Sequence, residues 1–388
     1  MGEGRQEPAV SLDVSAVPLE PAGAGRYTIE LARALASRGE LALTLVCRRD
    51  DAGRWATVAP GARLVPRVWT SRPARLAYES LAMGRAVGSL DHPRIGVHHG
   101  PHYTMPKAMA GVARVVTVHD LTFFDHPQWH QSSKVAFFRR AIARACSDAD
   151  ALICVSDEAA RRLGELMRPR PPVFVIPHGI DGSRFRPATD GAADSRLVEA
   201  AGIHASAEFV LHLGTIEPRK GLVELVAAFG PVASKRPDLL LVLAGHRGWG
   251  AAELRDEVSA RRLTSQVREL GYVPEEAVPA LMRRARVVVY PSHEEGFGLP
   301  ALEALACGAL LVTTAGTAMA GFAKEAAFLA RPGVVSDLTA LMEEALSLGH
   351  DERERRRALG LGVAGEHTWD KAATAHVGAY MAACERAR

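Results

Sequence analysis

Two carboxylates, Glu295 and Glu303, stand eight residues apart around the run Gly296-Phe297-Gly298-Leu299-Pro300. Ionised carboxylates are poor phosphate ligands but good acceptors for sugar hydroxyls. The apolar stretch before them, Arg286-Val-Val-Val-Tyr-Pro-Ser292, predicts a buried strand, and Ala301–Cys307 predicts the start of a helix. Gly296 and Gly298 let the backbone approach a ligand closely, and the helix start offers unpaired N–H groups to anionic oxygen. This pattern places Glu295 at a strand end and Glu303 on the first helical turn. Either Glu alone could be a simple partner for the helix dipole. The whole sequence of strand, Gly-x-Gly turn, Pro and helix favours a site that handles a phosphate and a sugar together.

A second loop carries the opposite charge. The strand-like run Phe209-Val-Leu-His-Leu213 leads into Gly214-Thr215-Ile-Glu-Pro-Arg219-Lys220-Gly221 and then a helix. Two adjacent cations there suit a diphosphate, since fork donors, point charge and helix dipole all favour the anion. The loop is not a Walker A sequence. Pro21-Ala-Gly23-Ala-Gly25-Arg26 is another glycine-rich helix start, without the full dinucleotide fingerprint, so a dehydrogenase finds no support. His119 and Asp120 fall at the end of a predicted strand, a common place for ligand contact in open sheets. His98, His99 and His102 do not make a convincing metal site, because adjacent strand residues point to opposite faces. Asp148-Ala-Asp150 precedes a strand and reads as a helix-ending turn. No nucleophile elbow, zinc-protease or kinase signature occurs.

The elements that must position these residues alternate between apolar strands and helices, which predicts α/β architecture with parallel sheets. Strands are expected at 10–14, 41–47, 95–98, 114–119, 151–155 and 173–176, then at 209–213, 239–244, 268–272, 287–290 and 310–313. The polar segment 181–207 reads as a linker. Two doubly wound Rossmann-like domains are therefore expected, at 1–185 and 186–368, with ligands at the carboxyl ends of both sheets in a crevice between them. The last segment, 369–388, is expected to be a helix that packs back on the first domain.

Composition agrees with a folded, water-soluble chain: 48% hydrophobic and 23% charged residues over 388. No apolar run is long enough to cross a bilayer. The polar start, Met1-Gly-Glu-Gly-Arg-Gln-Glu-Pro8, lacks a signal core and a myristoylation pattern. The five cysteines lack CxxC spacing and read as buried hydrophobes in a reducing, cytoplasmic setting. Residues 1–185 carry 24 Lys and Arg against 18 Asp and Glu, and the remainder 23 against 26. The basic cluster of Arg63, Arg67, Arg72, Arg75 and Arg85 reads first as a solvated helical face; peripheral contact with the inner face of a membrane is the alternative. Nucleic acid is not expected as a partner, since aromatics are not interleaved with the basic residues.

Taken together, Gly25-Arg-Tyr, Val118-His-Asp, Pro177-His-Gly-Ile-Asp181, Gly214 to Lys220, Gly271-Tyr-Val-Pro and Glu295 to Glu303 resemble the family-4 retaining glycosyltransferases of GT-B fold, in that family's order. The resemblance implies sugar transfer from a nucleotide diphosphate donor to a carbohydrate or lipid-linked acceptor, with retained anomeric configuration and neither metal nor cofactor. It assigns the donor to the second domain and the acceptor to the first. It implies catalytic roles for His119 at the donor sugar, Arg219 and Lys220 at the diphosphate, and Glu295 at the sugar. On the donor side it implies Gly25 near the phosphates, Gly298 and Leu299 as backbone N–H donors, and Glu303 at the ribose. The loop of Tyr272 and Val273 would hold the base, with Gly214, Thr215, Gly296 and Phe297 also donor-binding. Gly245-His-Arg-Gly-Trp249, Val118-His-Asp-Leu-Thr122 and Tyr290-Pro-Ser292 are similar to mannosyltransferase members, which implies GDP-mannose, with UDP-hexoses as the alternative. The bias of 41 Arg to 6 Lys hints at a bacterial source and cell-envelope or glycolipid assembly. Two departures stand out: Thr215 replaces the Arg that many relatives carry, and Ala320-Gly321 replaces Pro-Glu. They open a second reading, a non-catalytic nucleotide-sugar-binding partner of another transferase.

Overall fold

The computed structural model describes residues 9–387 apart from 22, 40, 91–93, 108 and 189. The N-terminal segment 1–8 that bears on leader and lipidation signals lies outside the described residues. The chain divides into two compact units. One runs to Gly179 and takes in the final helix from Trp369; the other spans Ile180–Thr368.

The first unit holds seven strands: β1 (Val10–Asp13), β2 (Leu43–Arg48), β3 (Arg63–Val68), β4 (Val97–Gly100), β5 (Ala113–Val118), β6 (Ala151–Cys154) and β7 (Val173–Val175). Their spatial order is β3-β2-β1-β4-β5-β6-β7, and every pair is parallel. The central strands are buried on both faces, as their near-continuous apolar sequences require of a parallel sheet. Strand β3 differs. Its exposure leaves Arg63, Pro66 and Arg67 open to solvent, so part of the basic cluster lies on a sheet edge and not on a helical face. Proline is tolerated there because an edge strand has spare N–H positions.

The final helix, Trp369–Ala387, belongs to this unit's core through Trp369, Ala373, Val377 and Tyr380. A buried polar chain ties it to the sheet. His376 Nδ1 donates to the Ala372 carbonyl at 2.7 Å, so its Nε2 accepts from the Tyr27 hydroxyl at 2.8 Å. The Tyr27 oxygen then accepts from Thr117 Oγ1 at 2.9 Å. Thr117 in turn accepts from His99 Nε2 at 2.8 Å, and His99 Nδ1 accepts from the Tyr380 hydroxyl at 2.8 Å. One backbone carbonyl thus sets both imidazole tautomers along the relay from His376 to Tyr380.

The second unit holds six strands: β8 (Phe209–Leu213), β9 (Leu240–Ala244), β10 (Val267–Gly271), β11 (Val287–Tyr290), β12 (Leu311–Thr314) and β13 (Ala327–Ala330). Their order is β10-β9-β8-β11-β12-β13, again all parallel. Both units are therefore Rossmann-like and doubly wound. Residues 181–207 are not a bare linker. They contain the helix Gly191–Ala200, capped by Asp190, whose side chain accepts from the Ala192 and Ala193 N–H groups. Asp194 of this helix is buried and receives a two-pronged ion pair from Arg283, 2.7 Å from Arg283 Nε, on the helix Ala277–Arg284. Residues 180–185, expected in the first domain, are tied to the second unit: Ile180 N–H bonds the His367 carbonyl and Arg184 pairs with Glu275 at 3.0 Å.

Candidate functional site

In the second unit the winding direction reverses between β8 and β11, which pair through Val210 with Val287 and Leu211 with Val288. Loops leaving the carboxyl ends of two such strands necessarily meet. The β8 loop carries Gly214 to Gly221 and the β11 loop carries Pro291 to Gly298. They are laced together: the His293 N–H bonds the Arg219 carbonyl at 2.9 Å. Gly221 makes the closest approach. It sits at φ +65°, and a Cβ there would lie 2.3 Å from the Pro291 carbonyl oxygen. No other residue fits both demands. The β8 loop is braced on its other side by β9, through Gly214 N–H to the Ala244 carbonyl at 2.8 Å and Ile216 N–H to the His246 carbonyl at 2.9 Å.

This lacing brings the two predicted charges together. Arg219 and Lys220 lie on a single 3-10 turn, Pro218–Lys220, ahead of the helix Leu222–Lys235. Lys220 Nζ bonds Glu295 Oε1, and Arg219 Nη1 bonds Glu295 Oε2 at 3.2 Å. Ser292 Oγ donates to Glu295 Oε1 at 3.0 Å, and Glu217 holds Arg219 Nε at 2.8 Å. Lys220 and Glu295 side chains are each 12% exposed, open enough for a ligand but poorly hydrated. Burial pushes the Glu295 carboxyl up; Lys220 and then Arg219, with hydrogen bonds from Lys220 and Ser292, outweigh it and hold it at about 2. Burial draws Lys220 below its ordinary value, against the opposing pull of Glu295.

The remaining donor-side candidates are placed as follows. Gly298, at φ +93°, caps the helix Leu299–Ala306 and packs where a Cβ would strike Met319 Cγ at 2.2 Å. Gly296 lies in the same turn. The Phe297 ring is buried against Phe322 at 5.2 Å, so it shapes the turn from below. Glu303 is the fifth residue of the helix, in its second turn and not its first, and is buried. Tyr272 follows β10, is 57% exposed, and stacks on His246 with centroids 5.1 Å apart. Val273 beside it is buried. Thr215 packs at Gly248, whose Cβ would stand 3.2 Å from Thr215 Cγ2. Ala320 and Gly321 fall within the short helix Ala318–Ala323.

Gly25 and His119 belong to the first unit. Gly25 lies in the first turn of the helix Gly23–Ser37, where a Cβ would meet Pro21 at 3.0 Å. His119, just past β5, is buried and donates from Nε2 to the Pro101 carbonyl at 2.8 Å. Burial lowers its pKa, so it is neutral at pH 7. Tyr103, stacked edge-on at 5.6 Å, holds φ +64°, an uncommon strain for a bulky residue. His98 bonds Ser11 at 3.0 Å and His99 lies in the chain to Tyr380. Among the described residues no group of three or more His, Cys, Asp or Glu is arranged to hold a metal ion.

Sequence reasoning missed Ser292, Glu217, His246 and His212. Ser292 and His246 lie inside motifs that were singled out, and Glu217 lies between Gly214 and Arg219. His212 gave a weaker signal, a lone histidine in an apolar strand. It is fully buried, donates from Nδ1 to the Val289 carbonyl at 2.9 Å, and is held at about 4 chiefly by burial.

Residues 196–360 match the family model "Glycosyl transferases group 1", and residues 21–184 match "Glycosyltransferase Family 4". The chain is 30% identical over 305 residues to O-antigen chain mannosyltransferase B of Escherichia coli, covering 78% of this chain and 79% of that protein. It is 27% identical over 402 aligned positions to a glycogen synthase of Mycobacterium tuberculosis, covering 94% and 92%. Among solved structures, sucrose-phosphate synthase of Thermosynechococcus elongatus superposes with a TM-score of 0.70 at 21% identity, covering 96% of this chain and 98% of that one. That likeness bears on the fold.

Proposed function

The chain belongs to the GT-B glycosyltransferases described by the group 1 and Family 4 models, and on that premise we propose that it moves a hexose from a nucleoside diphosphate to an acceptor hydroxyl with retained configuration. GDP-mannose is the proposed donor, supported by the similarity to the O-antigen mannosyltransferase; UDP-hexoses are the comparison set. The observation that carries this reading is the meeting of Arg219, Lys220 and Glu295 at the β8–β11 reversal.

The chemistry proceeds from charge. Departure of the diphosphate leaves an oxocarbenium-like sugar and concentrates negative charge on the leaving oxygens. A guanidinium and an ammonium fixed in a poorly hydrated loop stabilise that charge without reorganising. They take the neutralising role a divalent cation has elsewhere, so no metal is needed. A phosphate oxygen is the proposed base for the acceptor hydroxyl. Glu295 is proposed to accept sugar hydroxyls, Glu303 the ribose hydroxyls, and the Tyr272–His246 stack to carry the base. Gly25 and His119 are proposed to serve the phosphates and the donor sugar from the first unit, which also receives a carbohydrate or lipid-linked acceptor. Work at the inner face of a membrane in envelope glycan synthesis is part of the same proposal.

A thermal-shift screen against GDP-, UDP- and ADP-sugars tests the donor, since a ligand that binds only the folded form raises its melting point. Transfer assayed in EDTA, with NMR of the anomeric proton, tests metal independence and stereochemistry. Nucleotide binding with neither transfer nor donor hydrolysis would favour a non-catalytic partner protein. An inverted product or an absolute metal requirement would overturn the mechanism.

A further inference from the structure

The cations proposed for the diphosphate already have an anionic partner within the protein. Glu295 takes Lys220 on one oxygen and Arg219 on the other, and Ser292 adds a third bond. With Glu217 on Arg219, the two cations face two carboxylates, Glu295 and Glu217. A diphosphate arriving there must compete with Glu295 for both cations. An ionised carboxylate in a poorly hydrated pocket cannot be left without partners, because stranding it costs more than the exchange returns. Some other donor must replace Lys220 and Arg219; a hexose supplies hydroxyls beside the phosphates, while the ribose hydroxyls of a bare nucleoside diphosphate are assigned above to Glu303.

Resting on the donor reading above, we propose that Glu295 is an exchangeable internal counter-ion that makes the site discriminate between nucleoside diphosphate-hexose and nucleoside diphosphate. With the intact donor, phosphates take Arg219 and Lys220, and the sugar hydroxyls take Glu295. After transfer the hydroxyls leave with the acceptor. Glu295 returns to Lys220 and Arg219, competes with the phosphates, and drives the spent nucleotide out. The carboxylate therefore acts on product release as well as on sugar recognition, with no covalent role. Glu217, on Arg219 Nε, holds the guanidinium in place while Arg219 Nη1 and Lys220 both change partner.

Calorimetric titration of the wild type and Glu295→Gln with GDP, UDP and ADP, and with their hexose esters, tests this. The amide keeps hydrogen-bonding capacity but removes the competing charge. The nucleoside diphosphate that the wild type binds is expected to bind the variant at least about tenfold tighter, ~1.4 kcal/mol. Its hexose ester should gain less, so that the preference for the sugar-bearing form narrows. Ser292→Ala removes the donor that Glu295 keeps when its cations leave, so it should weaken diphosphate binding; it carries the test if Glu295→Gln melts early. Unchanged or weaker diphosphate binding in folded Glu295→Gln, or unchanged or tighter binding in folded Ser292→Ala, overturns the counter-ion role while leaving the donor reading intact. If no nucleoside diphosphate or hexose ester binds any form, the donor reading falls and this inference with it.

Discussion

Lys220 is the residue on which the proposed chemistry leans most, since it is the buried cation nearest to exchange between a carboxylate and a phosphate. Lys220→Ala is expected to lower kcat/KM by roughly 10- to 1,000-fold, about 1.4–4 kcal/mol of transition-state stabilisation. Steady-state kinetics with saturating acceptor measures this, and unchanged kinetics would remove Lys220 from the mechanism. Glu303→Ala should act differently. Its proposed partner is the ribose, bound alike in ground and transition states, so donor KM should rise with kcat nearly intact. A pure kcat loss at saturating donor would contradict that role. That Arg219, Lys220 and Glu295 share one end of the sheet was legible, because each follows an apolar strand and stands beside a glycine turn. Ser292 and His212 were not, because a serine after proline or a histidine in an apolar strand takes its meaning from what the fold brings against it.

At the scale of elements, the contact between the β8 and β11 loops depends on Gly221. Gly221→Ala would force a Cβ into the Pro291 carbonyl and into a left-handed backbone at once. Strain alone costs roughly 1–3 kcal/mol. The variant should melt several degrees lower and lose activity together, as seen by circular dichroism and transfer assay; a wild-type melting point would show that the loops can part freely. Most strands were legible because buried parallel strands are short apolar runs between turns. β3 was not: Arg63-Leu-Val-Pro-Arg-Val68 has the charge and proline that only an edge tolerates. β13, Ala327-Phe-Leu-Ala330, has no β-branched residue and two alanines, so it does not read as a strand. The helix His350–Glu366 hid for the opposite reason, its first half being almost wholly charged and lacking an apolar stripe.

For the whole molecule, the buried histidines set the response to acid. Burial holds His98, His212 and His376 at about 4, and lowers His99, His119 and His178 as well, against 6.5 for each in the unfolded chain. Below pH 6.5 the unfolded chain therefore binds protons that the fold refuses. The stability these groups contribute is complete above 6.5 and is lost as pH falls toward 4, at ~1.4 kcal/mol per pH unit for each histidine. Glu295, held at about 2 against 4.5, extends the loss to lower pH. Urea midpoints should thus begin to fall just below neutrality, and a flat profile from pH 7 to 5 would contradict neutral buried imidazoles. These charges could not be read from sequence, where fifteen histidines look alike; burial separates them.

The return of Trp369–Ala387 to the first unit has a consequence for biosynthesis. A ribosome finishes the segment up to Gly179 long before it makes Tyr380 and His376, yet Tyr27 and His99 each bond to one of them. The first unit must wait, incomplete, until the helix Trp369–Ala387 has emerged, so its final closure trails the synthesis of the second unit.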